Sequence, residues 1–189
     1  VYEQYTSQVQ RFGIDESYLD VTGSLHLFGN DAEGLAHQIR QRVTRETGLT
    51  VSVGVSWCKI FAKLGSDLKK PDAVSVISRE NYRDVVWPMP VGNLLFVGRN
   101  TEEKLKQLGI RTIGELAHAE PGLLRRRFGK LADQLHAYAN GLDESPVLEI
   151  GQEEDPHSVG NGMTFSRDLM TRQDIHTAVT VLSDSVAAR

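Results

Sequence analysis

The sequence predicts an α/β (α+β) layer over residues 1–87, followed by a small all-α module over residues 88–142. Two observations lead to this fold class. Up to Ser78, two kinds of segment alternate along the chain. β-branched segments with alternating apolar residues are typical of strands, and the amphipathic segments between them are typical of helices packed on the same sheet. After Trp87-Pro88-Met89-Pro90 the strand signals stop, and short helical patterns separated by glycines follow. We expect the sheet to be antiparallel or mixed, with helices packed on it.

Local signals define each element of the layer. Leu35, Ile39 and Val43 are spaced i, i+4 and i+8, which gives one helix an apolar face, and Gly48 is a typical stop. Pro71 ends the next helix because it cannot donate a backbone hydrogen bond. In chain order we predict a helical tail over 1–11, a strand over 13–22, extended residues 25–27, a helix over 31–47, a strand over 49–55, a helix over 56–69 capped by Ser56, and a strand over 73–77.

The rest of the chain is divided by glycines and by charge. The predicted helices of the all-α module span 91–95, 101–108, 113–117, 121–128 and 130–140. Six acids and no base lie between Asp143 and Asp155, so residues 143–156 are predicted to be an acidic linker. Residues 157–189 are expected to begin a further domain and to be truncated, because the chain stops inside a helical pattern.

Composition excludes several classes of protein. The 189 residues are 40% hydrophobic with a formal net charge of −4, which excludes a disordered or collagen-like chain. The single Cys58 cannot form an internal disulfide and is typical of a reducing compartment. No stretch approaches the ~18 apolar residues of a membrane span, so we expect a cytoplasmic protein without a membrane partner. The six histidines lack ligand spacing, and no zinc is assigned.

The first candidate site is the octet Gly-Ile-Asp-Glu-Ser-Tyr-Leu-Asp at 13–20. Asp15 and Glu16 are adjacent carboxylates in a mostly apolar strand, where their charge is costly without a cation. In a regular strand they point to opposite faces, so both reach one metal ion only at a strand end or bend. Carboxylate oxygens suit Mg²⁺, which completes its shell with phosphate and water. By itself, the octet is better explained by exposed acids at a strand edge.

The second candidate site is the helix over 56–69. Lys59 and Lys63 are four residues apart and lie on one helix face, and Lys70 comes seven residues after Lys63. A face of lysines beside a carboxylate site is what a triphosphate substrate requires. For an isolated helix, ordinary surface lysines are the better explanation.

The third candidate site is a glycine hairpin that opens a helix. Backbone N–H groups after Gly98 would form an anion site at the helix N-terminus, and nearby cations would add contacts to a phosphate backbone. A helical hairpin packed for its own sake is the alternative, and Phe128-Gly129-Lys130 is a weaker second copy. The candidate DNA-binding residues are Gly98, Arg99, Thr101, Lys104 and Lys106.

In this order the three segments resemble the Y-family DNA polymerases, the translesion class that includes bacterial DNA polymerase IV. The resemblance extends from about residue 13 to about residue 168. The matching residues are Gly13–Thr22, Ser52–Ser56, Lys59, Ala62-Lys63, Ser66-Asp67, Lys70-Pro71, Val97-Gly98 through Ile110, Ser158-Val159-Gly160 and Thr164-Phe165.

The resemblance implies a palm over 1–87, a helix-hairpin-helix thumb over 88–142 and the truncated start of a little finger over 157–189. It implies that Asp15 is a metal ligand, that Glu16 supports the site near the primer hydroxyl, and that two Mg²⁺ ions serve the full-length enzyme. Lys70 would contact the nucleotide triphosphate, with Lys63 as a second candidate. Primer-template DNA and dNTP would be the partners, with a sliding clamp bound through a tail outside the chain.

The chain also departs from the family pattern. The first palm strand with its catalytic aspartate, and the fingers, would precede Val1, so we expect these 189 residues alone to be inactive. Cys58 replaces a usual asparagine and is predicted to be a packed residue, and Phe96 replaces a common hairpin glycine. Trp57 and Trp87 are predicted to lie in the core or at a domain junction. Two functions remain: part of a DNA polymerase for DNA repair, or a non-catalytic DNA-binding or accessory protein.

Overall fold

The computed structural model describes residues 1–152 and 158–189. They form two compact units, Val1–Ile150 and Gly151–Arg189. The last residues of the predicted linker and His157, the first residue of the predicted little finger, lie outside the described residues. The predicted boundary at 142 falls within the first unit.

A β-hairpin opens the first unit. Strand β1 (Gln8–Phe12) pairs antiparallel with β2 (Glu16–Asp20), and Phe12 is opposite Glu16. The prediction of a helical tail over 1–11 is wrong, because only a short 3-10 turn at Tyr2–Gln4 is helical. The predicted strand over 13–22 begins only at Glu16, since the residues before it form the hairpin turn.

Helix α1 (Ala32–Thr47) follows the predicted signals closely. The Asp31 side chain accepts a hydrogen bond from the Gly34 N–H, and Gly48 closes the helix with a φ of 73°. The apolar face of α1 packs in a small core that contains Tyr5, Leu35, Ile39 and Val43. Residues 25–28, predicted as extended, form a 3-10 turn instead.

The second sheet is a parallel pair, β3 (Val53–Val55) and β4 (Val74–Val76), connected through α2 (Lys59–Leu68). A Cβ on Gly54 would overlap the Ala62 carbonyl oxygen and lie 2.5 Å from the Ser66 nitrogen, so glycine lets α2 lie directly on β3. The prediction that Ser56 caps α2 is wrong. Cys58 holds the N-cap position, and the Ser56 hydroxyl donates to the Ile77 carbonyl oxygen at 2.9 Å.

Short helices make up most of residues 82–139, as predicted, although the predicted helix over 91–95 is only a 3-10 turn. The helices are α3 (Tyr82–Val85), α4 (Arg99–Gln107), α5 (Ile113–His118), α6 (Pro121–Phe128) and α7 (Leu131–Ala139), with a 3-10 turn at Val91–Asn93. Helix α3 was not predicted. Helix α4 ends in a Schellman motif, in which the Ile110 N–H donates to the Leu105 carbonyl and Gly109 has a φ of 81°.

One hydrophobic core joins α2 to the later helices. Phe61 is fully buried in the same cluster as Leu116 and Leu135. The Trp57 indole donates to the Gly141 carbonyl oxygen at 3.0 Å, and the Trp87 indole donates to the Ala139 carbonyl oxygen at 3.1 Å. Both tryptophans therefore lie at the junction between the α/β layer and the all-α module, as predicted.

The described part of the acidic segment returns to β1. The Ile150 N–H donates to the Ser7 carbonyl oxygen at 3.0 Å, and the Gln8 side chain donates to the Val147 carbonyl oxygen at 3.2 Å. The Leu148 N–H donates to the Gln10 side chain at 3.4 Å. Residues 146–150 thus lie along the hairpin rather than leading away from it.

The second unit contains helix α8 (Arg172–Ala187), which starts at a capping box formed by Thr171 and Asp174. Arg167 pairs with Asp174 at 2.7 Å, and its hydrogen bond holds the pKa of that carboxyl below its usual range. None of the helices in residues 1–152 and 158–189 combines the length and apolar character needed to cross a bilayer.

Candidate functional site

The two adjacent carboxylates lie where the hairpin turn meets β2. Asp15 is an exposed residue of the turn, and Glu16 is the first residue of the strand. This is the strand end at which neighbouring carboxylates are able to approach one ion. Glu16 Oε1 accepts a hydrogen bond from Lys63 Nζ at 2.8 Å, so the acid is paired with a cation from α2.

Four side chains, called here the charge ladder, connect this carboxylate to the end of α2: Glu16, Lys63, Asp67 and Lys70. Lys63 Nζ lies 2.8 Å from Glu16 and 2.9 Å from Asp67 Oδ2. Lys70 Nζ lies 2.7 Å from Asp67 Oδ1. The helix ends at Leu68, so Lys70 is not on the helix face that its spacing predicts, yet it reaches the same aspartate.

Burial and pairing act against each other in the charge ladder. Burial is the largest influence on Lys63 and lowers its pKa, but the hydrogen bonds to Glu16 and Asp67 outweigh it and leave the pKa raised. Burial raises the pKa of Asp67, and the two lysines more than reverse this and lower it. Pairing therefore favours the charged forms of Lys63 and Asp67.

Lys59 lies on the same side of α2 as Lys63, as the spacing predicts, and also faces the hairpin. Its ammonium group donates to Gln10 Oε1 at 2.6 Å and to the Pro146 carbonyl oxygen, and it lies 5.6 Å from the centre of the Tyr18 ring. Burial raises the pKa of the Tyr18 hydroxyl to about 12. Lys59 thus connects α2 to β1 and to the segment that returns along it.

The donors present suit a hard divalent cation but do not complete a site for one. In residues 1–152 and 158–189, no group of three or more histidine, cysteine, aspartate and glutamate side chains is arranged to hold a metal ion. Asp15 and Glu16 supply two carboxylates, which match the oxygen preference of Mg²⁺. Cys58 is a buried free thiol whose pKa is raised by burial, as expected of a packed residue.

The glycine hairpin exposes the N-terminus of α4. Gly98 is the N-cap, no side chain caps the helix, and a Cβ on Gly98 would meet nothing within 4 Å. Packing within the fold therefore does not require glycine at position 98. The missing side chain leaves room for an anion to approach the backbone N–H groups of the helix N-terminus. In the described chain, Arg99 and Lys104 make no ion pair, while Lys106 pairs with Glu102 at 2.6 Å.

Phe96 lies in the left-handed region of backbone conformation. Its φ is 69°, in the region that favours glycine. The residue is 54% exposed, and its ring lies 5.8 Å from the Tyr138 ring. The turn before Gly98 thus contains a phenylalanine in a conformation that glycine usually adopts.

Two family models match parts of the chain. Residues 1–67 match the model of the impB/mucB/samB family, and residues 93–143 match the thumb domain of DNA polymerase iota. The first match contains the hairpin and most of α2, and the second contains helices α4–α7.

Two curated relatives align over nearly the whole chain. DNA polymerase IV of Acetivibrio thermocellus is 47% identical over 189 residues, which are 100% of this chain and 47% of that protein. DNA polymerase IV of Clostridium acetobutylicum is 34% identical over 99% of this chain and 46% of its own length. The chain thus spans about half the length of the curated relatives that it matches.

Solved structures share the fold. A Y-family DNA polymerase chimera of Dbh and Dpo4 covers 99% of this chain with a TM-score of 0.84 and 23% identity, over 54% of its own length. The insertion ternary complex of Dbh DNA polymerase covers 77% of this chain and 42% of its own, with a TM-score of 0.69 and 27% identity. The fold is that of a polymerase-type palm and thumb. The sequence matches are more specific, because over its whole length the chain is homologous to bacterial DNA polymerase IV.

The sequence prediction did not assign a role to Asp67. It lies four residues after Lys63 and three before Lys70, and both lysines pair with it. This spacing is the signal from which the bridging role could have been read. Glu16, Lys63 and Lys70 are brought together as predicted, whereas Asp15 remains on the exposed turn.

Proposed function

We propose that this chain forms the palm and thumb of a DNA polymerase for translesion synthesis, which joins a dNTP to a primer 3′-hydroxyl. The charge ladder carries the proposal, because it connects a candidate metal-binding carboxylate to an exposed lysine that would bind phosphate. The resemblance adds a sliding clamp, bound through a tail outside residues 1–189, and a cytoplasmic location.

Asp15 and Glu16 would hold Mg²⁺ together with a carboxylate from outside residues 1–189. The metal supplies charge neutralisation and an activated hydroxyl when bound. Lys70 would bind the triphosphate, since its side chain is 55% exposed and its partner Asp67 is itself 46% exposed. An exposed ion pair of this kind is weak and opens readily to a more highly charged ligand.

Lys70→Met tests the nucleotide site in the full-length protein that contains this sequence. We expect KM for dNTP to rise more than kcat falls, because the variant loses a phosphate contact that is equally strong in the bound substrate and in the transition state. Lys69→Met is the matched control, since Lys69 is an exposed neighbour outside the charge ladder. Equal KM values for the two variants would contradict the role of Lys70.

The thumb would bind the DNA backbone through the N–H groups after Gly98, with Arg99, Thr101, Lys104 and Lys106 around them. Gly98→Val is expected to weaken duplex binding without changing the salt dependence, because no cation is removed. Arg99→Ala is expected to reduce the slope of log affinity against log salt by up to about one unit. Fluorescence anisotropy of the 189-residue chain at low salt measures both effects. Unchanged affinity in Gly98→Val would remove the hairpin from the proposal.

A non-catalytic DNA-binding protein is the second candidate. The incomplete metal-ligand set within the described residues favours it, whereas the charge ladder has no use in a protein that only binds DNA. Primer extension by the full-length protein with Mg²⁺ and dNTP decides between the two. The 189-residue chain alone is expected to bind DNA without extending a primer.

A further inference from the structure

We propose that Lys63 is a positioning residue that orients the Glu16 carboxylate, rather than a second contact to the nucleotide triphosphate. The inference rests on the proposed function of the chain as part of a polymerase. It differs from the sequence prediction, which placed Lys63 beside Lys70 as a nucleotide-binding residue.

The geometry separates the two lysines. The Lys63 side chain is 18% exposed, and its ammonium group donates to carboxylates on two different elements, Glu16 at 2.8 Å and Asp67 at 2.9 Å. The Lys70 side chain is 55% exposed and, among the residues that the structure describes, pairs only with Asp67. A triphosphate contact would require Lys63 to leave two carboxylates, of which Glu16 is only 34% exposed, whereas Lys70 would give up one exposed ion pair.

Glu16 depends on this one partner. In the part of the chain that the structure describes, Lys63 is the only group that hydrogen-bonds or ion-pairs with the Glu16 side chain. The residue follows the exposed turn at Gly13–Asp15, which offers it no support. A glutamate side chain released from its partner regains several rotamers, so the ion pair is what gives the carboxylate a defined direction.

Asp67 fixes Lys63 from within α2. It lies one helical turn after Lys63, so the lysine is held between its own helix and the hairpin. Asp67 also holds Lys70 through its other oxygen, Oδ1. When Lys70 moves to a phosphate, Asp67 keeps its contact with Lys63, and the direction of Glu16 is preserved while nucleotide binds.

The kinetic test compares Lys63→Met with Lys70→Met in the full-length protein. We expect Lys63→Met to lower kcat about 10- to 100-fold, the effect of a misplaced catalytic group, while KM for dNTP changes less than about threefold. Lys63→Arg is expected to restore part of kcat, because it can still pair with both carboxylates. A rise in KM with unchanged kcat for Lys63→Met would overturn the inference.

A second measurement does not require catalysis. In the 189-residue chain, three-bond NMR couplings of the Glu16 side chain are expected to report one rotamer in the wild type and averaged rotamers in Lys63→Met. Lys69→Met is the control and is expected to match the wild type. A Glu16 side chain that stays fixed in Lys63→Met would overturn the inference. If the full-length protein extends no primer, the proposed function fails, and these couplings still decide the role of Lys63.

Discussion

Gly54→Ala tests the close contact that holds α2 against β3. The added Cβ would overlap the Ala62 carbonyl oxygen and lie 2.5 Å from the Ser66 nitrogen, whereas ordinary contact begins at 3.4 Å. The Ser66 amide would have to retreat by about 1 Å to restore that separation. Because both atoms belong to the backbone, no rotamer change relieves the overlap. We expect the free energy of unfolding to fall by about 3 kcal/mol, near the upper end of the range for overpacked cores.

The assay is urea unfolding of the 189-residue chain followed by tryptophan fluorescence. Both tryptophans, Trp57 and Trp87, lie in the first unit, so the signal reports that unit. Gly23→Ala is the matched control, because its Cβ would meet nothing within 4 Å, and we expect a change within about 0.5 kcal/mol. A loss below about 1 kcal/mol in Gly54→Ala would refute the packing argument.

Two further predictions use the same unfolding assay. Gly141 and Gly48 both have positive φ, so substitution by Ala at either position is expected to lower the free energy of unfolding by about 1–2 kcal/mol. Gly141→Ala is expected to lower it by about 1–3 kcal/mol more, because the added Cβ would lie 2.6 Å from Phe61 and 2.7 Å from Trp57. Equal losses of stability in Gly141→Ala and Gly48→Ala would contradict the close packing of Gly141 against Phe61 and Trp57. The lysines lower the pKa of Asp67, so its charged form stabilises the folded state above its ordinary pKa of 3.8 and this contribution is lost as pH falls below that value. The difference in free energy of unfolding between the wild type and Asp67→Asn is therefore expected to shrink from pH 5 to pH 2. A difference that stays constant over this range would contradict the prediction.

Elements with complete local signals were predicted well. The bounds of α6 match residue for residue, because Pro121 suits the first helical position and Gly129 follows the last. Helix α1 was equally clear, with a capping aspartate before it and Gly48 after it. These signals act within a few residues, so the sequence contains all the information they need.

Two features that depend on distant partners, strand β1 and the cap of α2, were predicted wrongly. Strand β1 has weak alternation of its own and exists because it pairs with β2 and with residues 146–150. The cap of α2 was misplaced because the Ser56 hydroxyl is used by the Ile77 carbonyl, which is distant in sequence. In both cases tertiary contacts override the local preference.

The candidate site shows the same division. Helical periodicity predicted that Lys59 and Lys63 share a face, and both do contact the hairpin. No periodicity relates Lys63 to Glu16, which is 47 positions away. Only the structure shows which groups each lysine contacts. Those contacts separate a lysine that positions Glu16 from a lysine that would bind the nucleotide.

The return of residues 146–150 to β1 determines when the hairpin can mature during synthesis. The Gln10 side chain accepts from the Leu148 amide, and Leu148 is synthesised 138 residues after Gln10. At a translation rate of about 5–20 residues per second, that partner follows roughly 7 to 28 seconds afterwards. Until then the nascent hairpin lacks its covering segment and exposes an unpaired strand edge. The hairpin is therefore completed by one of the last parts of the first unit to be synthesised.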